Sequence, residues 1–172
     1  GGGGLIIRGS NPGDAGAVVN GHFVPLIFHF GGIRSILPSE LIEQIDFYPG
    51  NYSSRYGRFS GGIVDLSLKR PSAEWQYRVE ADVFDAGVFV SGPVTERTNF
   101  AIAGRRSYID AILPAVLPED ANLDLTVAPR YYDYQLLLDY KGINNQAQFF
   151  IFGSDDVGLS TCKISRNIKS NN

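Results

Sequence analysis

The chain has 172 residues, of which 44% are hydrophobic and 19% are charged, and its net charge is −3 at pH 7. This composition is too apolar for a disordered chain and not apolar enough for a helical membrane protein. The small negative charge, without any long run of like charges, argues against nucleic acid as a partner.

The cysteine and methionine counts bound the chemistry further. Cys162 is the single cysteine, so an internal disulfide is excluded and a zinc site cannot be completed by thiolates. We expect no metal and no other cofactor. The chain begins with four glycines, contains no methionine and shows no charged-then-apolar leader, so we expect a fragment of a longer protein.

The first elements along the chain are turns and short strands. Residues 8–16, "RGSNPGDAG", are turn formers. Asn20-Gly21 best fits a type I′ turn, which predicts a hairpin of two short strands around it. Residues 15–33 carry no Asp, Glu, Lys or Arg, but Asn, Gly, His and Pro interrupt the apolar run, which argues against a transmembrane helix.

Residues 37–50, "LPSELIEQIDFYPG", predict one short helix followed by a strand. Ser39 is the expected cap of that helix, and Leu41, Ile42 and Ile45 would form its buried stripe. The acidic and aromatic residues that follow lead out to the Pro-Gly turn.

The sequence after Arg70-Pro71 predicts almost nothing but strands, and we place a boundary between two units there. Residues 61–69 are the last strand of the first unit. The second unit opens with residues 75–83, which alternate apolar and polar side chains and so predict a strand. The apolar phase shifts from Phe84 onward, which predicts a bulge near Asp85.

The rest of the second unit alternates short turns with one long loop. Gly92-Pro93 and the following "TERT" predict a turn, after which residues 99–108 return as a second strand. Residues 111–129 contain three prolines and predict a long loop. Residues 131–140 and "QAQFFIFGSDD", 146–156, predict a third and a fourth strand around a "KGINN" turn.

Long strands joined in this way, with an apolar face that ends in aromatic residues, are typical of a transmembrane β-barrel. A soluble antiparallel sandwich explains the same alternation equally well, since one face would then cover a core. In the barrel interpretation the strand 131–140 turns Asp133, Gln135 and Asp139 to the interior. The residues expected to face lipid are Tyr132, Tyr134, Leu136, Leu138 and Tyr140.

The first unit decides between these alternatives, because residues 5–70 closely resemble the second half of the plug domain of TonB-dependent outer-membrane receptors. The resemblance lies in the order and spacing of "LIIRGSNPGDAGAVVNGHFVP", "LPSELIEQIDFYPG" and "SSRYGRFSGGIVDLSLK". In the second unit, "VFVSGPV" and "AGRRSYID" resemble the opening strands of the receptor barrel. About 155 of the 172 residues are covered, and 158–172 do not resemble a continuing barrel.

The resemblance implies a mainly β protein: the C-terminal part of a plug over residues 1–70, the first four or so strands of an incomplete barrel over 71–157, and an atypical or truncated tail over 158–172. Arg8 matches a plug arginine that contacts acidic barrel residues, and Arg58 is a second candidate for such a contact. The family motifs also contain glycines expected at tight turns and close backbone approaches, namely Gly9, Gly21, Gly50, Gly57, Gly61 and Gly62.

Other candidate sites are weaker. His22 and His29 are seven residues apart, on opposite faces of an extended segment, and so form no ligand pair. The acidic residues of the long loop, Glu119, Asp120 and Asp124, lack the glycine of a calcium loop. Asp155 and Asp156 would point to opposite sides of a strand, which does not suit acid–base catalysis. Arg105 and Arg106 would also face opposite sides, where they could meet anionic lipid headgroups or a lumen carboxylate, with simple surface charge as the alternative. We expect no enzyme.

By resemblance, the whole protein would import a scarce nutrient across the outer membrane of a Gram-negative bacterium. The nutrient would be a siderophore, vitamin, saccharide or peptide, and a TonB-type protein would supply energy through an upstream segment. Outer-membrane lipid would be the other partner. The alternatives are a receptor-like barrel that does not transport, or a soluble β-sandwich that acts in binding or adhesion.

Overall fold

The computed structural model describes residues 6–11, 13–25, 27–29, 34–57, 59–108, 112 and 130–157. Its strands form a four-stranded sheet, a five-stranded sheet and a two-stranded ribbon. The strands are β1 (Gly16–Val19), β2 (His22–Val24), β3 (Phe28–His29), β4 (Arg34–Ser35), β5 (Ile42–Tyr48), β6 (Ile63–Leu68), β7 (Gln76–Ala81), β8 (Asp85–Thr95), β9 (Thr98–Ser107), β10 (Arg130–Lys141) and β11 (Gln146–Val157).

The four-stranded sheet, called the small sheet below, has the strand order β2-β1-β6-β5. β1 pairs with β6 in parallel, whereas the β1–β2 and β5–β6 pairings are antiparallel. The predicted hairpin is confirmed, since β1 and β2 pair around Asn20 and Gly21, whose φ angles are 47° and 81°. Glycine and asparagine tolerate this left-handed conformation better than other residues do.

Of the short helix and the strand predicted within residues 37–50, the strand is confirmed as β5 and the helix is wrong. Ser39–Leu41 form a single 3₁₀ turn, and Ser39 does not cap it, because the preceding Pro38 holds that position with an extended backbone. Ile42 is already extended, with φ −97° and ψ 122°, and it pairs with Leu68 in the small sheet. Pairing with a neighbouring strand therefore outweighs the local helical pattern, which the β-branched isoleucines support only weakly.

The five-stranded sheet, called the large sheet, is an antiparallel meander in the order β11-β10-β9-β8-β7. Four strands were predicted for this unit and five are present. The predicted bulge near Asp85 is a turn between β7 and β8, where the Asp82 carboxylate accepts hydrogen bonds from the Phe84 and Asp85 amides at 2.8 and 3.1 Å. The shift of apolar phase marked a reversal of the chain.

The next predicted turn is confirmed at "TERT" but does not include Gly92-Pro93. Gly92 and Pro93 belong to β8, and the chain reverses between Thr95 and Thr98. The pairing is irregular between Pro93 and Thr95, which suits proline because it has no amide hydrogen for the ladder. The remaining predicted strands, 99–108, 131–140 and 146–156, are confirmed as β9, β10 and β11.

The large sheet has two ends. Its loop end is where β9 stops at Ser107 and β10 begins at Arg130, and its turn end is where β8 and β10 stop. The long loop predicted at 111–129, Ile112 apart, and the tail 158–172 fall outside the described residues. Among the residues that are described, no helical segment is long and apolar enough to cross a membrane.

One hydrophobic core joins the two sheets. Small-sheet residues such as Val19 and Leu66 and large-sheet residues such as Ala103 and Leu137 belong to the same buried cluster. A second cluster, built on Val18, Tyr56 and Ile63, lies on the opposite face of the small sheet, since alternate residues of a strand point to opposite sides. The small sheet therefore has one face on the large sheet.

Candidate functional site

The candidate site is the polar contact between the large sheet and a segment that we call the arm, which is residues 27–29 and 34–41 with β3, β4 and the 3₁₀ turn. The arm lies between β2 and β5 in sequence. It packs on one face of the large sheet, which we call the inward face, and the opposite face is the outward face. The alternation of β10 decides which large-sheet side chains reach the arm. Residues 131, 133, 135, 137 and 139 are buried, whereas 132, 134 and 140 are exposed and 136 and 138 are half-buried.

His29 is at the centre of the contact. Its side chain is fully buried, and its ring stacks on Tyr131 with the centroids 4.2 Å apart and an interplanar angle of 15°. Nε2 lies 2.8 Å from Oδ2 of Asp133, and Nδ1 lies 2.6 Å from Oδ1 of Asp156. The imidazole therefore bridges the arm to two neighbouring strands, β10 and β11.

Asp133 is held by donors from three elements. Besides His29, it accepts hydrogen bonds from Nη2 of Arg105 on β9 at 2.8 Å and from Nε2 of Gln135 at 2.9 Å. It is 3% exposed, and a carboxylate buried to this degree is stable only when it is paired and hydrogen-bonded. Three strands thus converge on one buried carboxylate.

Two large-sheet side chains also hold the backbone of the arm. Arg105 donates to the Ser35 carbonyl oxygen, and Gln135 Nε2 donates to the Ile36 carbonyl oxygen at 2.5 Å. The arm side chains at this point, Ile36 and Leu37, are 3% and 2% exposed. Because the arm has little regular pairing of its own here, side chains of the large sheet satisfy its peptide groups.

A second ion-pair group lies at the loop end. Nε of Arg34 lies 2.9 Å from Oδ2 of Asp85, and the same guanidinium contacts Asp82 in the turn between β7 and β8. The Tyr131 hydroxyl also donates to Asp85. The hydrogen bond to Asp85 raises the pKa of Arg34 above its usual value, so Arg34 stays charged throughout the accessible pH range.

Further polar contacts extend to the turn end. Asn20 Nδ2 donates to Gln148 Oε1 of β11 at 2.5 Å, so the hairpin tip also touches the large sheet. Arg70 lies 3.6 Å from Asp139, and the Arg70 side chain is 52% exposed whereas that of Asp139 is 8% exposed. Water can screen such a pair from the side of the arginine, whereas the buried group at His29 is costly to break on one side.

The outward face of the large sheet is apolar. Leu136 of β10 is flanked by Ile102 of β9 and Ile151 of β11, and the latter two are 48% and 44% exposed. Aromatic residues mark both ends of this face, with Trp75 stacked on Tyr77 near the turn end and Tyr132 near the loop end. The five residues expected to face lipid all lie on this outward face, and their contact with lipid stays a prediction.

The two arginines predicted to join the plug to the barrel are Arg8 and Arg58. Arg8 is exposed, with φ 52°, and makes no ion pair with any residue that the structure describes. Arg58 falls outside the described residues. The contact of either arginine with a barrel carboxylate therefore stays a prediction.

The motif glycines differ in the space around them and in their backbone conformation. A Cβ atom on Gly62 would lie 2.5 Å from the Ile7 side chain, and one on Gly61 would lie 2.9 Å from the Asp14 backbone. Gly50 and Gly57 have room, since their nearest neighbours would be 3.6 Å away. Gly9 and Gly21 adopt φ angles of 76° and 81°.

The contact of His29 with Asp133 and Asp156 was not predicted from the sequence. His22 and His29 indeed form no pair, and His22 is exposed. Asp133 was predicted to face the interior, but its contact with a histidine was not predicted. One signal was present: a histidine inside the most apolar stretch of the chain has to find a polar partner if that stretch is buried. Within the described residues, no group of side chains is suited to hold a metal ion.

No protein-family model matches the chain. Over 74 residues, or 42% of the chain, it is 36% identical to the ferrienterobactin receptor of Escherichia coli strain K12. The chain spans 10% of the length of that receptor.

Solved structures share the fold over most of the chain. The siderophore receptor PirA from Pseudomonas aeruginosa matches with a TM-score of 0.56 and 21% identity, over 87% of this chain and 28% of that one. A variant of the ferric enterobactin receptor PfeA from Pseudomonas aeruginosa matches with a TM-score of 0.55 and 21% identity, over 91% of this chain and 27% of that one.

These matches confirm the mainly β architecture of plug and partial barrel. Each of the matched proteins is named as a receptor. The chain is thus similar in sequence to a ferrienterobactin receptor over 74 residues, and it shares the fold of solved siderophore receptors over most of its length.

Proposed function

We propose that the full-length protein imports a ferric siderophore across the outer membrane, with energy from a TonB-type partner. The observation that carries the proposal is the 36% identity to a ferrienterobactin receptor over 74 residues. Structural similarity to two further siderophore receptors supports the same substrate class over the vitamin, saccharide and peptide classes.

In this proposal, residues 1–70 are part of the plug and residues 71–157 open the barrel wall. The two main sheets support this division, because the small sheet uses strands between Gly16 and Leu68 and the large sheet uses strands between Gln76 and Val157. The outward face of the large sheet then meets lipid, and the inward face meets the plug. A wet or protein-covered interior is where carboxylates such as Asp133 can be accommodated.

The polar contact described above has a clear role in such a receptor. A plug must close the barrel at rest and yield during transport. Hydrogen bonds and ion pairs suit this better than a purely apolar contact, because water can take over each bond when the surfaces separate. The arm contact would then set how firmly this part of the plug is held.

The test uses the full-length receptor in cells that lack their own siderophore receptors. Uptake of radiolabelled ferric enterobactin and other ferric siderophores is measured beside cobalamin and maltodextrin, with and without TonB. The proposal predicts saturable uptake of a ferric siderophore that is lost without TonB. Binding without TonB-dependent uptake would favour a receptor that does not transport, and uptake of only the vitamin or the saccharide would overturn the substrate class.

A further inference from the structure

The hydrogen bonds of His29 require more protons than a neutral imidazole carries. Both ring nitrogens lie within hydrogen-bond distance of a carboxylate oxygen, at 2.8 Å for Asp133 and 2.6 Å for Asp156. An ionised carboxylate can only accept, so both ring nitrogens must donate. A neutral ring has one N–H and would leave one short contact between two acceptors.

The charges around the ring lead to the same conclusion. His29, Asp133, Asp156 and Arg105 form a connected group in which two carboxylates face one guanidinium. His29 and Asp133 are fully buried, whereas the side chains of Arg105 and Asp156 are 10% and 23% exposed. With a neutral ring, this largely buried group would carry a net charge of −1, and with an imidazolium it is neutral. Since an uncompensated buried charge is costly, the protonated arrangement is the stable one.

We propose that His29 is a positioning residue that latches the arm to the large sheet only while this group holds the additional proton. When the proton is lost, one of the two bonds becomes a repulsive contact between acceptors, and the arm is released from β10 and β11. The latch concerns how the plug is held, so it deepens the proposed function, on which its role in transport rests.

The direction of the pH effect follows from the proton count. The latched state binds one proton more than a released state with a solvated, neutral imidazole, so the latch is favoured at lower pH and weakens as the pH rises. The other ionisable groups that surround the ring belong to four elements. They are Asp133 and Tyr131 on β10, Asp156 on β11, Arg105 on β9, and Arg34 on β4, which is paired with Asp85 of β8.

The test measures exposure of the arm in the full-length receptor in outer membranes. Leu37, which is 2% exposed, is replaced by cysteine in a Cys162→Ser background, and the rate of labelling by a water-soluble maleimide is followed from about pH 6 to about pH 9. Each rate is divided by that of the unfolded protein at the same pH, which removes the titration of the thiol. We expect the corrected rate to rise several-fold with pH.

The decisive variant is Asp156→Asn. An asparagine amide can donate to Nδ1 of a neutral ring while Nε2–H still donates to Asp133, and Asp133 with Arg105 remains neutral in sum. Asp156→Asn should therefore label slowly at every pH, with a flat profile. His29→Asn should label fast at every pH, and the matched control His22→Asn, at an exposed histidine, should keep the profile of the parent.

Three results would overturn the latch: a flat profile in the parent, the same pH-dependent rise in Asp156→Asn, or fast labelling of Asp156→Asn at every pH. The assay needs neither siderophore nor TonB. Failure of the latch would therefore leave siderophore import standing, and failure of import would leave the latch standing.

Discussion

At the residue scale, the contact between the sheets depends on a few buried polar groups whose partners are far apart in sequence. His29 meets Asp133 across 104 positions and Asp156 across 127. No periodicity in a single sequence reveals such a pairing, since a pattern reports only which face a residue occupies. The interior placement of Asp133 was predictable because a carboxylate on the lipid face is costly, whereas its partners were not.

Asp133→Asn tests the weight of the central carboxylate. The change leaves Arg105 and His29 facing a neutral amide, and breaking one side of a buried ion pair costs about 3–5 kcal/mol. Asp139→Asn is the matched control, because this carboxylate is also buried but its ion pair with Arg70 is 3.6 Å long and Arg70 is 52% exposed, so water can replace that partner. We expect labelling of Leu37→Cys to become much faster in the first variant and to change little in the second. Equal effects would show that the donors that converge on Asp133 carry no special weight.

Gly62→Ala tests the close packing inside the small sheet. The new methyl group would lie 2.5 Å from Cδ1 of Ile7 and 3.0 Å from the Tyr48 carbonyl oxygen, so the buried Ile7 side chain would have to move. Overpacking of this kind costs about 1–3 kcal/mol. Gly57→Ala is the control, since its nearest neighbour would be 3.6 Å away. Protease sensitivity of the small sheet should increase for the first variant alone, and an unchanged Gly62→Ala would show that the sheet adapts.

At the element scale, the strands of the large sheet were the most predictable part of the molecule and the 3₁₀ turn the least. β10 was read correctly because its two faces differ so strongly in polarity over its 12 residues. The alternation predicted a bulge where the chain in fact reverses at Asp82, because both features shift the apolar phase by one residue. The helical pattern around Leu41 gave way to pairing of β5 with β6, a contact that local sequence does not encode.

Leu136→Arg tests the outward face of β10. Leu136 lies midway along the strand, where an arginine facing lipid costs about 2–4 kcal/mol, falling to about 0–1 kcal/mol near the membrane surface. Tyr140→Arg, close to the end of the same face, is the matched control. We expect poor assembly of full-length Leu136→Arg into the outer membrane and near-normal assembly of Tyr140→Arg, as measured by heat-modifiable migration on gels. Equal assembly would argue against a lipid-facing strand.

At the scale of the whole molecule, the two sheets share one core and one polar contact, and the large sheet ends in the edge strands β7 and β11. The architecture was predictable in outline from the resemblance of residues 5–70. The arm was not predictable, because its position depends on side chains contributed by β8, β9, β10 and β11 together.

The 172-residue chain by itself should not behave as a soluble monomer. Its outward face exposes large apolar side chains such as Val79, at 81%, and its edge strands offer unpaired backbone groups for association. We expect aggregation without detergent, as measured by size-exclusion chromatography with light scattering. A monodisperse monomer with a cooperative thermal transition in plain buffer would contradict this expectation.

If the large sheet is a barrel wall with lipid on one side and the plug on the other, single cysteines along β10 of the full-length receptor should differ in their access to lipid and water. Cysteines introduced at Leu136 and Leu138 should react with a lipid-soluble reagent and not with a water-soluble one. A cysteine at Leu137, which is fully buried against the small sheet, should react with neither until the plug is displaced. Preferential reaction of the Leu136 and Leu138 positions with the water-soluble reagent would contradict the assignment of this face to lipid.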